Sequence, residues 1–232
     1  MNQGLPLILL LLLPGGVVEQ ESGSNPAQTV ELSVLELESR IQETANRARE
    51  SCVGLETAAG ARGSGVVISK EGLILTVAHL FDEMSRDAVK VRCADGAIRT
   101  ARLTHLDKGE DLALLCFERF LPPAEWVATV VEEDSRIEPG SPMVAVGHAS
   151  GRWSKHSMPS VRLGFGFVRE STGTIMSTCR VTVGDSGGGL FDLDGRLQGL
   201  HRTVDAAGKF SSHLPVSRVA QVWPELTTGV TQ

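Results

Sequence analysis

A serine set among glycines, Val183-Gly184-Asp185-Ser186-Gly187-Gly188, is the stretch of this sequence with the clearest chemical meaning. A serine hydroxyl is a weak nucleophile at neutral pH. It attacks a carbonyl carbon only when a neighbouring base takes its proton and fixed donors receive the charge that grows on the attacked oxygen. Glycines permit unusual backbone turns and let a substrate approach closely, so the backbone N–H groups of Gly184, Asp185 and Ser186 are candidate oxyanion donors. A base and a partner for it stand upstream. His79 ends the apolar run Leu73 to Ala78, and Asp111 follows Gly109-Glu110 and opens Leu112-Ala113-Leu114-Leu115. A carboxylate placed there can orient an imidazole and stabilise its protonated form. Singly, each has a plain structural reading: a glycine-rich hairpin, a hydrogen-bonded histidine, a turn-forming aspartate. In this order, 32 and then 75 positions apart, they supply a base, its orienting acid and a nucleophile. The G-x-S-x-G pattern also serves α/β-hydrolases, but that fold needs the order Ser, Asp, His. The 46 residues after Ser186 are too few to place the required strands and helices between such groups.

Short β-like runs must position these residues. From Cys52 the chain reads as Cys52 to Glu56, Gly65 to Ser69, Leu73 to Val77, Ala88 to Cys93, Ile98 to Leu103 and Leu112 to Phe117, punctuated by turn residues such as Ala94-Asp95-Gly96. After Leu121-Pro122-Pro123, a crossover, the runs are Trp126 to Val131, Met143 to Val146, Arg162 to Arg169, Thr174 to Cys179, Leu190 to Phe191, Leu197 to Arg202 and Ser211 to Val216. The expected fold is all-β: two six-stranded antiparallel β-barrels, about residues 51–120 and 124–216, inside a catalytic body spanning 51–226. Ser33 to Glu36 fits a capping box, and Leu37, Ile41, Ala45 and Ala48 recur at helical spacing, so an amphipathic helix precedes the body. A short C-terminal helix is expected over Ser217 to Trp223, stopped by Pro224, with residues 227–232 as a tail.

The whole chain narrows the function classes. Its 232 residues, 41% of them apolar, can bury a sizeable core. A net charge of -6 without a dense basic stripe argues against nucleic acid and anionic membranes as partners. The run Leu5 to Leu13 is too short to span a bilayer and reads as the core of a signal peptide over residues 1–16, ahead of a polar linker. Export to a periplasmic or extracellular space follows, with no stable membrane span in the mature form. Four cysteines, Cys52, Cys93, Cys116 and Cys179, lack C-x-x-C spacing, so neither a zinc nor a redox site is expected. No metal or cofactor is called for.

Thr76-Val77-Ala78-His79, Asp111 to Leu115 and Gly184 to Gly188 resemble the three motifs of trypsin-like (chymotrypsin-clan) serine proteases, and their spacing is similar to the bacterial HtrA/Deg branch. Gly63-Ser64-Gly65 looks like that family's leading barrel strand, Glu138-Pro139-Gly140 its turn into the second barrel and Leu214-Pro215-Val216 its final strand. The resemblance implies a serine endopeptidase acting on proteins or peptides through an acyl-enzyme, with His79 as base, Asp111 as orienter and Ser186 as nucleophile. The alternative is a protease scaffold that has lost activity and serves as a binding or chaperone-like protein.

Several positions depart from the family pattern. Gly189 stands where Pro is usual, and Leu80 replaces the Cys that follows the base in trypsin. Asp185 is the trypsin-type residue where HtrA proteins usually carry Asn, yet there is no Ile-Val-Gly-Gly activation site, so its counter-charge is unidentified. No PDZ module is expected after the second barrel. Gly199-Leu200-His201 resembles the Gly-x-His of glutamyl endopeptidases and picornaviral chymotrypsin-like proteases, and Arg180 could add positive charge to the same pocket. That likeness implies His201 and Arg180 as substrate-binding residues and a preference for cleavage after Glu or Gln. The resemblance also makes the strands of Cys52 and Cys93 neighbours, implying a bond between them. Buried free thiols are the other reading.

Overall fold

The computed structural model describes residues 33–82, 88–130, 137–151, 158–205 and 207–219. The signal segment, the linker, the end of the expected C-terminal helix and the terminal tail lie outside these. Helix α1 (Val34–Ser51) starts at the capping box. The Ser33 hydroxyl accepts from the Glu36 amide at 3.2 Å and the Glu36 carboxylate accepts from the Ser33 amide at 2.8 Å. Both donors would otherwise be unpaired in the first turn. Thr44, Ala45, Ala48 and Ser51 form the buried stripe, and the Thr44 hydroxyl donates to the Leu193 carbonyl at 3.1 Å, so the helix lies on the body.

Barrel one comprises β1 (Cys52–Glu56), β2 (Arg62–Val67), β3 (Leu73–Thr76), β4 (Val89–Arg92), β5 (Ile98–Asp107) and β6 (Leu112–Phe117), closed in the order β1-β2-β3-β6-β5-β4. A two-residue strand, β7 (Thr129–Val130), follows. Barrel two comprises β8 (Ser141–Gly147), β9 (Ser160–Arg169), β10 (Thr174–Ser177), β11 (Gly189–Phe191), β12 (Arg196–Val204) and β13 (Ser211–Pro215). It runs in the order β11-β8-β9-β10-β13-β12 and is closed by β11 pairing with β12. The expected pair of six-stranded antiparallel barrels is what the chain forms. Residues 217–219 are helical and begin the expected C-terminal helix.

One expected strand is displaced. The run from Trp126 contributes no stave to barrel two; Val130 and Thr129 pair in parallel with Leu197 and Arg196, outside the closed ring. Trp126 is held on barrel one instead, its ring centroid 6.0 Å from that of Phe120, over which the Arg99 guanidinium lies at 3.8 Å. Aromatic and cation–π contacts thus anchor the crossover to the first barrel.

Strand alternation divides the core. Val53, Leu55, Val67, Ile74, Ala113, Leu115 and Phe117 fill barrel one. Their neighbours Cys52, Val66, Leu73, Leu75, Leu112 and Leu114 face the other way and pack with Val144, Val146, Phe191, Leu200 and Leu214 of barrel two and with Ala45 and Ala48 of α1. Both faces of these strands are buried, which is why they read as unbroken apolar runs. Each buried Val, Leu, Ile or Phe among them stabilises the fold by about 1.5–3 kcal/mol.

The same alternation rules out the Cys52–Cys93 bond, and all four cysteines are free thiols. Gly54 lies opposite Arg92 and Leu55 opposite Val91. Continuing that register puts Cys93 opposite Val53, inside barrel one, while Cys52 points one residue over, to the opposite face. There its thiol donates to the Val146 carbonyl at 3.7 Å. Burial pushes both thiols up, that of Cys93 to about 11, so they behave as small apolar side chains.

Candidate active site

β2 carries the Ser186 loop. The Ser64 amide donates to the Ser186 carbonyl at 2.7 Å, and the buried Ser64 hydroxyl donates to the Gly184 carbonyl at 2.8 Å while accepting from the His148 amide at 2.8 Å. Thr76 of β3 fixes this strand in turn, its hydroxyl donating to the Ser64 carbonyl at 2.7 Å. Two glycines are obligatory. A Cβ on Gly187 (φ 83°) would stand 2.2 Å from the Ser64 carbonyl oxygen, and one on Gly184 (φ 92°) 2.3 Å from the Gly151 amide nitrogen. Ser64 is a functional residue that motif reading left as part of a strand; its signal was its place between Gly63 and Gly65.

Of the three amides expected to face a developing oxyanion, that of Asp185 donates to the Thr182 carbonyl at 3.0 Å, closing a turn. Among the described residues the amides of Gly184 and Ser186 donate to no intramolecular acceptor. The Val183 carbonyl accepts from the Ser150 amide at 2.6 Å. In a trans peptide N–H and C=O point oppositely, so this bond turns the Gly184 N–H away from the 148–151 loop.

His79 sits on a 3-10 turn (Ala78–Leu80) at the end of β3, nearly half exposed. Asp111 opens β6 in a left-handed conformation (φ 60°), and its carboxylate takes three donors. Oδ1 accepts from the His79 amide at 3.0 Å and lies 3.1 Å from His79 Nδ1; Oδ2 accepts from Arg202 Nε at 2.9 Å. Burial pushes the Asp111 pKa up, but the hydrogen bonds from His79 and Arg202 outweigh it and hold the carboxyl below its usual range. With Asp111 on Nδ1, the outer imidazole nitrogen is left as an acceptor for a proton.

Two links bring Ser186 to this pair. A Cβ on Gly63 would touch both the Leu80 side chain, at 2.4 Å, and the Ser186 carbonyl oxygen, at 2.9 Å, so the histidine turn and the serine loop converge there. On β12, the His201 carbonyl accepts from the Gly187 amide at 2.8 Å while the next residue, Arg202, binds Asp111. No hydrogen bond joins Ser186 Oγ to His79 among the described residues, and such bonds commonly tighten only on substrate binding.

Asp185 acquires a partner that the sequence did not reveal. It is fully buried, its Oδ2 accepts from the Thr182 amide and hydroxyl at 2.7 and 3.1 Å, and Arg162 NH1 of β9 stands 3.0 Å away. That approach is off hydrogen-bond geometry, so the link to Arg162 is Coulombic. The signal was faint: in β9 the large apolar residues Leu163 and Phe165 are exposed, which leaves Arg162 in phase with the inward glycines.

His201 is fully buried against the wall behind Ser186. Its Nδ1 lies 3.0 Å from His213 Nδ1, and His213 Nε2 lies 2.8 Å from the Ser177 hydroxyl. Burial pushes both imidazoles toward the neutral form, His213 to about 3 and His201 well below its ordinary value with further help from His213 and Arg162. Arg180 is exposed and makes no hydrogen bond or ion pair among the described residues.

Known proteins resemble this chain. Serine protease HTRA1A of Danio rerio is 29% identical over 174 residues, covering 71% of this chain and 34% of its own. Serine protease HTRA3 of Mus musculus is 28% identical over 176 residues, covering 70% and 37%. Mitochondrial serine protease HTRA2 of Drosophila willistoni is 30% identical over 165 residues, covering 68% and 36%. The chain thus spans little more than a third of the length of these relatives. A solved structure, the serine endoprotease from Yersinia pestis, superposes with a TM-score of 0.70 over 82% of this chain and 67% of that one at 22% identity, which speaks to the fold. The trypsin-like peptidase domain family matches residues 63–200, the segment that holds His79, Asp111 and Ser186 together with both barrels' central strands. On that match, which takes in more than half of its length, the chain belongs to the trypsin-like peptidase family.

Proposed function

We propose that this chain is a serine endopeptidase that hydrolyses peptide bonds in proteins or peptides through an acyl-enzyme. The observation that carries the reading is the Asp111 carboxylate bound to both the amide and Nδ1 of His79 and tied through Arg202 to the same stretch of β12 that holds the Ser186 loop. Oriented in this way, His79 takes the proton of Ser186 Oγ as the oxygen attacks the carbonyl carbon. The amides of Gly184 and Ser186 receive the negative oxygen, and His79 returns its proton to the leaving amine. Water then repeats the attack on the ester and frees the serine. A fluorophosphonate probe is expected to modify Ser186 in the folded chain; a folded chain that stays unmodified would favour the inactive binding scaffold instead.

The buried histidine pair on β12 and β13 supports a preference for Glu or Gln before the cut bond. A single chain of hydrogen bonds fits the buried groups. The Cys179 amide donates to Ser177 at 3.2 Å, Ser177 can donate to His213 Nε2, and His213 Nδ1–H to His201 Nδ1. His201 then carries its proton on Nε2, a buried atom that faces the Val146 carbonyl, which a substrate oxygen would replace as acceptor. A neutral imidazole N–H in that position suits the oxygen of an amide or carboxylate side chain. Arg180, exposed six residues before Ser186, would add favourable charge for Glu. Digestion of a peptide library is expected to give cuts mainly after Glu and Gln. Cleavage dominated by Lys, Arg or large apolar residues would remove the preference and leave the peptidase reading standing.

Export is the third element. Among the described residues no helix is long and apolar enough to cross a membrane, and the apolar run Leu5 to Leu13 supports processing near residue 16. Protein collected outside the cytoplasm is expected to begin a few residues beyond that run. A product that keeps Met1 and stays in the cytoplasm would contradict it.

A further inference from the structure

The Asp111 carboxylate is shared between two cation-forming groups, and only one of them can lose its charge. Arg202 Nε donates to Oδ2 at 2.9 Å, while His79 holds Oδ1 through its amide at 3.0 Å and Nδ1 at 3.1 Å. The Asp111 side chain is 13% exposed and the Arg202 side chain 33%, so the guanidinium is partly sheltered on the side that meets the carboxylate. A hydroxyl there would satisfy Oδ2 without adding charge; a guanidinium adds a permanent positive charge on an oxygen that also lies 3.2 Å from His79 Nδ1. We infer that Arg202 is a positioning residue whose guanidinium fixes the second oxygen of Asp111 and, by opposing a positive charge on His79, extends activity toward acid.

The inference rests on the peptidase reading for its catalytic consequence, since His79 must be neutral to accept the proton of Ser186. An imidazolium beside Asp111 alone is favoured by the carboxylate, whose charge it neutralises. With Arg202 already drawing on that charge, protonating His79 places two cations on one anion. The other groups around His79 point the same way or are spoken for. Lys108 Nζ donates to the carbonyls of Ala78 and Phe81, at the two ends of the histidine's turn, and adds a second positive charge. Glu110, next to Asp111, is paired with Arg218 at 3.1 Å. Ser186, on the facing loop, is uncharged at working pH.

The test separates charge from hydrogen bonding at one position. Arg202→Met removes both, Arg202→Gln keeps an N–H donor without charge, and Arg202→Lys keeps charge without the planar fork. In the full chain, the acid limb of the kcat/KM profile is expected to move up by about one pH unit in the Met and Gln variants, the low end for one neighbouring charge at a partly exposed site. It is expected to stay near that of the wild type in Lys. Titration of the His79 ring proton by NMR, with the signal assigned through its loss in His79→Gln, should show the same displacement. An acid limb and an NMR midpoint unchanged in folded Arg202→Gln would overturn the inference, as would equal losses of kcat in all three variants without any displacement. Should the wild type hydrolyse no peptide and leave the fluorophosphonate untouched, the peptidase reading fails, while the NMR titration still decides what Arg202 does to His79.

Discussion

Replacing Ser186 with Ala is expected to lower kcat/KM by roughly four to six powers of ten while leaving the fold and the melting temperature nearly unchanged. The stability half of this expectation comes from where the hydroxyl sits. Ser186 is half-buried, its oxygen makes no hydrogen bond among the described residues, and the loop is held through its carbonyl and through Gly184 and Gly187. Removing Oγ therefore takes nothing from the scaffold. The activity half follows from the division of labour. Once the nucleophile is gone, His79 has no proton to accept, and only the Gly184 and Ser186 amides remain to polarise a bound carbonyl. The three groups act as a unit, so His79→Ala should cost about as much as Ser186→Ala, and the double variant little more than either. Side-by-side initial rates on a cleavable peptide check this. Retention of more than a tenth of wild-type turnover by folded Ser186→Ala would mean that another group performs the attack.

The residues proposed to react were legible in the sequence; the charged groups that meet them were not. Histidine, aspartate and serine each announce themselves because the chemistry needs that residue type beside a fixed local pattern, an apolar strand ahead of His79 and glycines around Ser186. Arg162 and Arg202 carry no such local signature. Their roles arise only when β9 and β12 close into one barrel against Asp185 and Asp111, across 23 and 91 positions of chain. The barrels themselves were readable for a related reason. Runs such as Leu73 to Leu75 and Leu112 to Leu115 alternate between the interior of barrel one and the face against barrel two, and either face demands an apolar residue. The crossover misled because Trp126 and its neighbours look like a strand, while aromatic packing holds them on the first barrel. The cysteines misled because adjacency of two strands was read without the parity of the pleat: Cys52 and Cys93 share a strand pair and point to opposite faces.

Removing the positive charge at Arg162 is expected to damage both stability and catalysis, because a buried carboxylate is built into the proposed oxyanion site. Asp185 lies between the two amides that would hold the oxyanion and is 0% exposed. Its Oδ2 is met by Thr182 and by Arg162, whereas Oδ1 is buried without a hydrogen-bond partner. Such a group depends on its counter-ion; removing one member of a buried pair costs about 3–5 kcal/mol, since the other remains uncompensated in a poorly polarisable site. Arg162→Met keeps an unbranched apolar stem and removes the guanidinium with its charge and its N–H donors. It is expected to lower the melting temperature by roughly 10 °C, at about 2–4 °C per kcal/mol for a domain of this size. The 182–187 turn should loosen with it, and kcat/KM fall by about a hundredfold as the Gly184 amide loses its aim. In trypsin-like zymogens a freshly cut N-terminus supplies the matching positive charge. Here the charge comes from β9 of the same chain, so the turn should be built as the protein folds, without a cleavage step. The decisive comparison is the double variant Arg162→Met/Asp185→Asn. A neutral amide needs no counter-ion and can still accept from Thr182, so the pair should recover most of the stability and part of the activity that Arg162→Met alone loses. If the two changes simply add, or if Arg162→Met melts and turns over like the wild type, the Coulombic link across the barrel is not what holds the nucleophile loop in place.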